Sequence, residues 1–195
     1  MARGRGTPPA VMVGAGTTWD DAATRMWIAL AAAVEDPRGS DLSVAGELVR
    51  VFDEFLELTG VADDVVSVWP LLLDLALEVD VEDTVRHLGR VVDDLGMLLP
   101  TGLRAHRSHL AGLLAGRDGE PTAVVEGHLR AAVQGFEQWG GRPFRARVQH
   151  ELGVLLTSDG RPDEGEALLT AARAGYQSLG ALAWLDELDQ ERAVL

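Results

Sequence analysis

The chain contains no cysteine, which removes disulfides, thiolate metal sites and cysteine nucleophiles from consideration together. Lysine is missing as well: all 17 basic residues are arginine, set against 31 acids for a formal net charge of −14. Such an acidic balance is poorly suited to general nucleic-acid binding, which rests on basic side chains against phosphate. No apolar run approaches the roughly 18–20 residues needed to span a bilayer. Met1–Gly16 carries only the short apolar segment Ala10–Val13, too little for a secretory signal. The expectation is a cytoplasmic protein with neither nucleic acid nor membrane as partner. Strand signals are also lacking beyond the N-terminal arm, because β-branched residues fall on helical spacing and no run alternates for long. Abundant Ala, Gly, Val, Leu and Arg with no Lys is the habit of a GC-rich bacterial genome.

What is present is helical periodicity with clear punctuation. Residues 1–16, rich in Gly, Pro and Ala, are expected to form a flexible arm. Within it, Val11–Thr18 faintly resembles a strand entering a phosphate-binding glycine loop. It lacks the P-loop lysine and the third glycine of a dinucleotide fingerprint, and no βαβ pattern follows. Spacings of three and four then predict helices from Thr17 or Thr18, over Leu42–Thr59, within Asp63–Val79, and over Val81–Leu95, Thr101–Ala115 and Thr122–Trp139. Further helices are predicted over Pro143–Thr157 and over Pro162–Leu179, the latter with Leu168, Leu169, Ala171, Ala172, Tyr176 and Leu179 on its apolar side, and a last one at 181–193. Pro70 falls inside the third, so that helix either begins at Pro70 or kinks there. The sum is an all-α chain of about nine helices, one domain over 17–195, with hairpins at about 17–60, 61–96, 101–140 and 141–180 and a C-terminal helix. Its 195 residues suffice for one sizeable domain or a short array.

The hairpins repeat. A shift of 40 residues superimposes Leu129 on Leu169, Ala132 on Ala172, Phe136 on Tyr176, Gly140 on Gly180 and Phe144 on Trp184. A shift near 42 aligns Leu110-Ala111 with Leu152-Gly153 and a shift of 44 aligns Gly96 with Gly140, so the period drifts with loop length. A unit of this size cannot cover its own apolar face and must stack on its neighbours. In Leu152-Gly153-x-x-Leu156, the turn glycine Gly160, Leu169 and Ala172, the chain resembles the tetratricopeptide repeat family. Gln149 stands where that family often has Trp, and Leu156 where it often has Tyr. Over roughly Leu103–Leu185 it is similar to the C-terminal repeat regions of large bacterial signalling ATPases, including LuxR-type and nucleotide-cyclase-linked regulators. The resemblance implies a right-handed α-solenoid of antiparallel hairpins acting by protein or peptide binding, without catalysis. Ala181–Leu195 copies the start of a further first helix and reads either as an amphipathic cap or as the cut end of a longer ancestor.

Charge is unevenly spread. Residues 19–100 hold 18 acids and 5 arginines and residues 148–195 hold 9 and 3, but residues 101–147 hold 7 arginines and only 4 acids. The groove positions implied by the resemblance are Ser108, Arg147 and His150, and Arg104, Arg107, Arg142 and Arg145 are near them on the same two helices. Convergence of these seven would suit an acidic peptide or a C-terminal carboxylate, since guanidinium pairs with carboxylate bidentately. The plainer alternative is that these arginines neutralise acidic neighbouring hairpins. A second copy of the chain, as a homodimer, is the other protein partner this reading admits. A small-molecule sensor is the competing function, its ligand between hairpins near Trp69, Trp139 or Trp184.

Other chemistry is thinly represented. His106 and His109 stand three apart on one helix and could offer two nitrogens to a metal, but no fixed carboxylate or HExxH accompanies them. They read as surface or hairpin-packing residues, and neither a metal nor a cofactor is expected. Asp20-Asp21 and Asp63-Asp64 fall where helices start, as capping and dipole effects favour. Asp93-Asp94, near a helix end, has no such explanation. Ser67, Ser108 and Ser158 lack a nucleophile-elbow context.

Overall fold

The structure is a computed structural model. It describes residues 49–50, 52–54, 57, 63–78, 82–95 and 99–194. The expected N-terminal arm, its glycine-rich stretch, the first helix and Asp20-Asp21 lie outside the described residues. Every regular element among those described is an α-helix. The chain divides into two compact units, Met1–Val85 and Arg86–Leu195.

In the first unit the described residues between 49 and 57 are helical, as the Leu42–Thr59 periodicity predicts. Helix α1 (Asp63–Glu78) follows, opening on the Asp63-Asp64 pair. Its apolar stripe of Val68, Trp69, Leu72, Leu73 and Ala76 is buried, and so is Phe52. Pro70 does not start this helix; α1 runs through it. Pro70 is itself buried among the stripe residues on either side, and that packing offsets the lost backbone donor and the crowding at the preceding turn.

Helix α2 (Glu82–Leu95) has Glu82 and Asp83 in its first turn, where the exposed N–H groups favour negative charge. The second unit takes in α2 from Arg86 on and five more helices: α3 (Thr101–Arg117), α4 (Thr122–Trp139), α5 (Arg142–Ser158), α6 (Pro162–Leu179) and α7 (Leu182–Arg192). The α4 and α6 termini fall where sequence punctuation places them. Gly140 and Gly180 end those helices with φ of 85° and 67°. At the first, the amides of Gly140 and Gly141 donate to the Phe136 carbonyl, each at 2.9 Å.

Consecutive helices pack against one another from α3 to α7, and α5 also touches α7. Close approaches give their direction. Gly102 lies under Trp139, Gly135 under Ala105 and Gly112 under Leu129, so α3 and α4 run antiparallel. Gly175 against Ala146 and Gly153 against Leu169 say the same of α5 and α6. A Cβ on Gly112 would meet Leu129 Cδ2 at 2.8 Å and one on Gly153 would meet Leu169 Cγ at 2.8 Å, so the same glycine-on-leucine contact occurs in both hairpins.

This equivalence corrects the register expected between the two first helices. Gly112 matches Gly153, a shift of 41, whereas the alignment of Leu110-Ala111 with Leu152-Gly153 required 42. The second helices keep the shift of 40. The turn between α3 and α4 spans 118–121, while that between α5 and α6 spans only 159–161, so one extra residue is absorbed there. Gly119 and Gly160 hold matching left-handed positions in the two turns, at φ 72° and 81°.

One core cluster joins α3, α4 and α5 through Ala105, Leu129, Ala132, Phe136, Val148, Leu152 and Leu156. A second joins α5, α6 and α7 through Ala146, Ala172, Tyr176 and Leu188. Helix α7 thus covers the last hairpin through Leu188, while Leu182 remains 71% exposed. Ala171 and Leu179, placed on the apolar side of α6 by periodicity, are exposed.

Candidate functional site

From Arg86 on, α2 lies antiparallel against α3. Arg86 of α2 donates to both carboxylate oxygens of Asp118, in the turn beyond α3, at 3.2 and 2.5 Å. This hydrogen-bonded guanidinium holds the Asp118 carboxyl below its ordinary range. Farther along, Gly89 sits so close to α3 that a Cβ would meet Leu110 Cδ2 at 3.3 Å. At the far end Arg107 Nε donates to Asp93 Oδ1 at 2.5 Å.

These contacts frame an open pocket of about 460 Å³ lined from α2 by Gly89 and Asp93, and from α3 by Arg104, Arg107, Ser108, Leu110, Ala111 and Leu114. His128 of α4 completes it. Arg104 and Arg107 are one turn apart, so both side chains leave the same face of α3. Among the described residues the Arg104 side chain bonds only to the Thr101 hydroxyl, at 3.2 Å, and no carboxylate there pairs with it. Arg107 makes its single described bond through Nε, leaving the Nη groups available as donors. Both members of the Asp93–Arg107 pair are about half exposed.

Three of the seven sequence-predicted residues, Arg104, Arg107 and Ser108, therefore share this pocket. Arg142, Arg145, Arg147 and His150 are not part of its lining. Arg142 donates to the Ser178 hydroxyl at 3.0 Å, and Arg145 pairs with Glu137 at 3.4 Å. Arg147 pairs with Glu151 at 3.4 Å, one turn farther along α5. His150 is buried, with Nδ1 3.4 Å from the Tyr176 hydroxyl and Nε2 3.2 Å from Glu191.

The histidines are more deeply used than their spacing indicates. His106 packs edge-on against Phe136 and Phe144, with ring centroids 4.7 and 4.4 Å away, and against Trp139 at 6.1 Å. Burial, reinforced by the charges of His109 and Arg147, pushes its pKa down to about 3, so the ring is neutral at physiological pH. His109 Nε2 lies 2.5 Å from Glu151 Oε2. Burial alone would raise the Glu151 carboxyl, but the His109 bond and the charges of His109 and Arg147 hold it below its ordinary range.

His109–Glu151 ties α3 to α5 by a hydrogen bond, and at the equivalent repeat positions His150 Nε2 of α5 stands 3.2 Å from Glu191 of α7 without hydrogen-bond geometry. Phe136–Phe144 and Tyr176–Trp184, each at 5.4 Å, are likewise the same contact forty residues apart. Sequence reading missed the acid halves of the histidine pairs. The available signal was the recurrence of His at 109 and 150 and of Glu at 151 and 191. Among the described residues no three His, Asp or Glu side chains are grouped as a metal ion would need. Comparison with family models, with characterised proteins and with solved structures finds no match to this chain.

Proposed function

We propose that this chain is a non-catalytic protein- or peptide-binding module, a tetratricopeptide-like right-handed solenoid of about nine helices that takes an acidic segment of a partner protein. The reading rests on one observation: Arg104 and Arg107 leave one face of α3 toward a shared pocket with most of their donors unused, in a protein of net charge −14. Most of the described arginines pair with the protein's own carboxylates. A pair left with spare donors is suited to an external one. The antiparallel hairpins, and contacts that recur after 40 or 41 residues, support the repeat architecture.

The experiment is fluorescence anisotropy with a labelled hexaglutamate peptide at several salt concentrations. Wild type is expected to bind with an affinity that falls as salt rises. Arg104→Gln/Arg107→Gln should weaken binding about tenfold or more. Arg90→Gln, on the exposed α2 surface outside the pocket, should not. Equal binding by wild type and the double variant would refute the assignment. A small-molecule sensor is the second reading, favoured by a pocket volume within the range of ligand sites. Trp69, Trp139 and Trp184 are not in that lining, and its charged, open character suits a peptide acid better.

A further inference from the structure

Asp93 stands in the last turn of α2, where the exposed carbonyls of the helix end disfavour negative charge and no basic residue of that turn offsets it. Its described partner is Arg107, across on α3. Asp93 lines the same pocket as that guanidinium, and the pair is about half exposed on both sides. An exposed pair of this kind is weak and easily exchanged. The pocket therefore already contains a carboxylate on one of its two arginines, held by a helix position that works against it.

We propose that Asp93 is a built-in placeholder: the pocket recognises carboxylate groups, and an acidic side chain of the bound peptide displaces Asp93 from Arg107 while a second engages Arg104. The proposal rests on the peptide-binding reading given above and specifies the chemistry of the ligand. A carboxylate taking over from Asp93 inherits a hydrogen bond whose geometry is already satisfied, with Arg107 Nε at 2.5 Å from the oxygen it replaces. Once swung away, Asp93 remains near the pocket rim and repels the incoming group. A phosphoryl dianion feels that repulsion about twice as strongly as a carboxylate, but it feels the attraction of Arg104 and Arg107 twice as strongly too; what marks the pocket for carboxylates is the Asp93 carboxylate already seated on Arg107. His128 and Ser108, in the same lining, can bond either group and do not discriminate.

Removing the placeholder should strengthen binding. In the hexaglutamate assay Asp93→Asn and Asp93→Ser are expected to bind about two- to fivefold more tightly than wild type. That gain should vanish in Asp93→Asn/Arg107→Gln. A peptide of the same length and closely matched charge, with three phosphoserines among neutral residues, should bind wild type more weakly than hexaglutamate does. Thermal melts of each variant check the fold, and loss of an acid from the C-terminal turn should leave α2 no less stable. If wild type binds through Arg104 and Arg107 but both Asp93 variants bind no tighter, the placeholder is wrong and the pocket assignment stands. If neither wild type nor Asp93→Asn binds hexaglutamate, both fail. Preference of wild type for the phosphoserine peptide would overturn the carboxylate assignment.

Discussion

Acidification should destabilise this protein through His106 before any carboxylate contributes. The ring is buried against Phe136, Trp139 and Phe144 with a pKa of about 3, against an ordinary value of 6.5. Between those two values the unfolded chain binds a proton at this position and the folded chain does not. Stability therefore rises with pH across the window and is lost as pH falls below 6.5. Integrating the difference from pH 7 to pH 5 gives a loss of about 2 kcal/mol from this residue, a large part of a typical domain's stability. The lowered carboxyls, Glu151, Glu126, Glu164 and Asp118, act in the same direction but only below about pH 4.5, under the range from pH 7 to pH 5. Urea denaturation followed by circular dichroism at pH 7, 6 and 5 measures the loss. His106→Leu, which leaves a ring-sized apolar site filled without a titrating group, should lower stability at pH 7 yet lose about 2 kcal/mol less than wild type on going to pH 5. Equal pH dependence in the two proteins, or an NMR titration placing His106 near 6.5, would refute the reasoning.

Gly153→Ala should cost about 1–3 kcal/mol, read as a lower urea midpoint, because the new Cβ would sit 2.8 Å from Leu169 Cγ and 3.0 Å from the Gly165 carbonyl. Glu151→Gln should cost about 1–3 kcal/mol at neutral pH, since His109 loses its carboxylate at a largely buried tie between α3 and α5, and the same denaturation assay checks it. No change for Glu151→Gln would show that the His109–Glu151 tie is incidental.

Much of the fold was legible because its signals are local. Gly140 and Gly180 at positive φ, and Pro162 in the first turn of α6, end and begin helices by backbone sterics that act within a few residues. The apolar spacing that identified Leu152, Leu156, Leu169 and Ala172 likewise placed residues that are buried. Periodicity was less informative where a helix meets a neighbour on two sides. It assigned Ala171 to the wrong face and could not reveal that His106 lies inside an aromatic cluster. The one-residue drift between α3 and α5 was misplaced for a related reason. Similar residues at neighbouring positions align almost equally well at 41 and 42, and only the glycine-on-leucine contacts choose between them.

Of the candidate site, the sequence by itself determined the supply: an arginine-rich stretch in an acidic chain, on helices whose faces follow from a period of 3.6. Composition and helical geometry are enough for that. The tertiary structure decided the use of each charge, because the relevant partners are distant in the chain. Asp93 meets Arg107 across two helices, Glu151 meets His109 across a hairpin, and Arg145 turns back to Glu137. Electrostatic pairing depends on separations of a few ångströms, which helix packing sets and residue spacing along the chain does not.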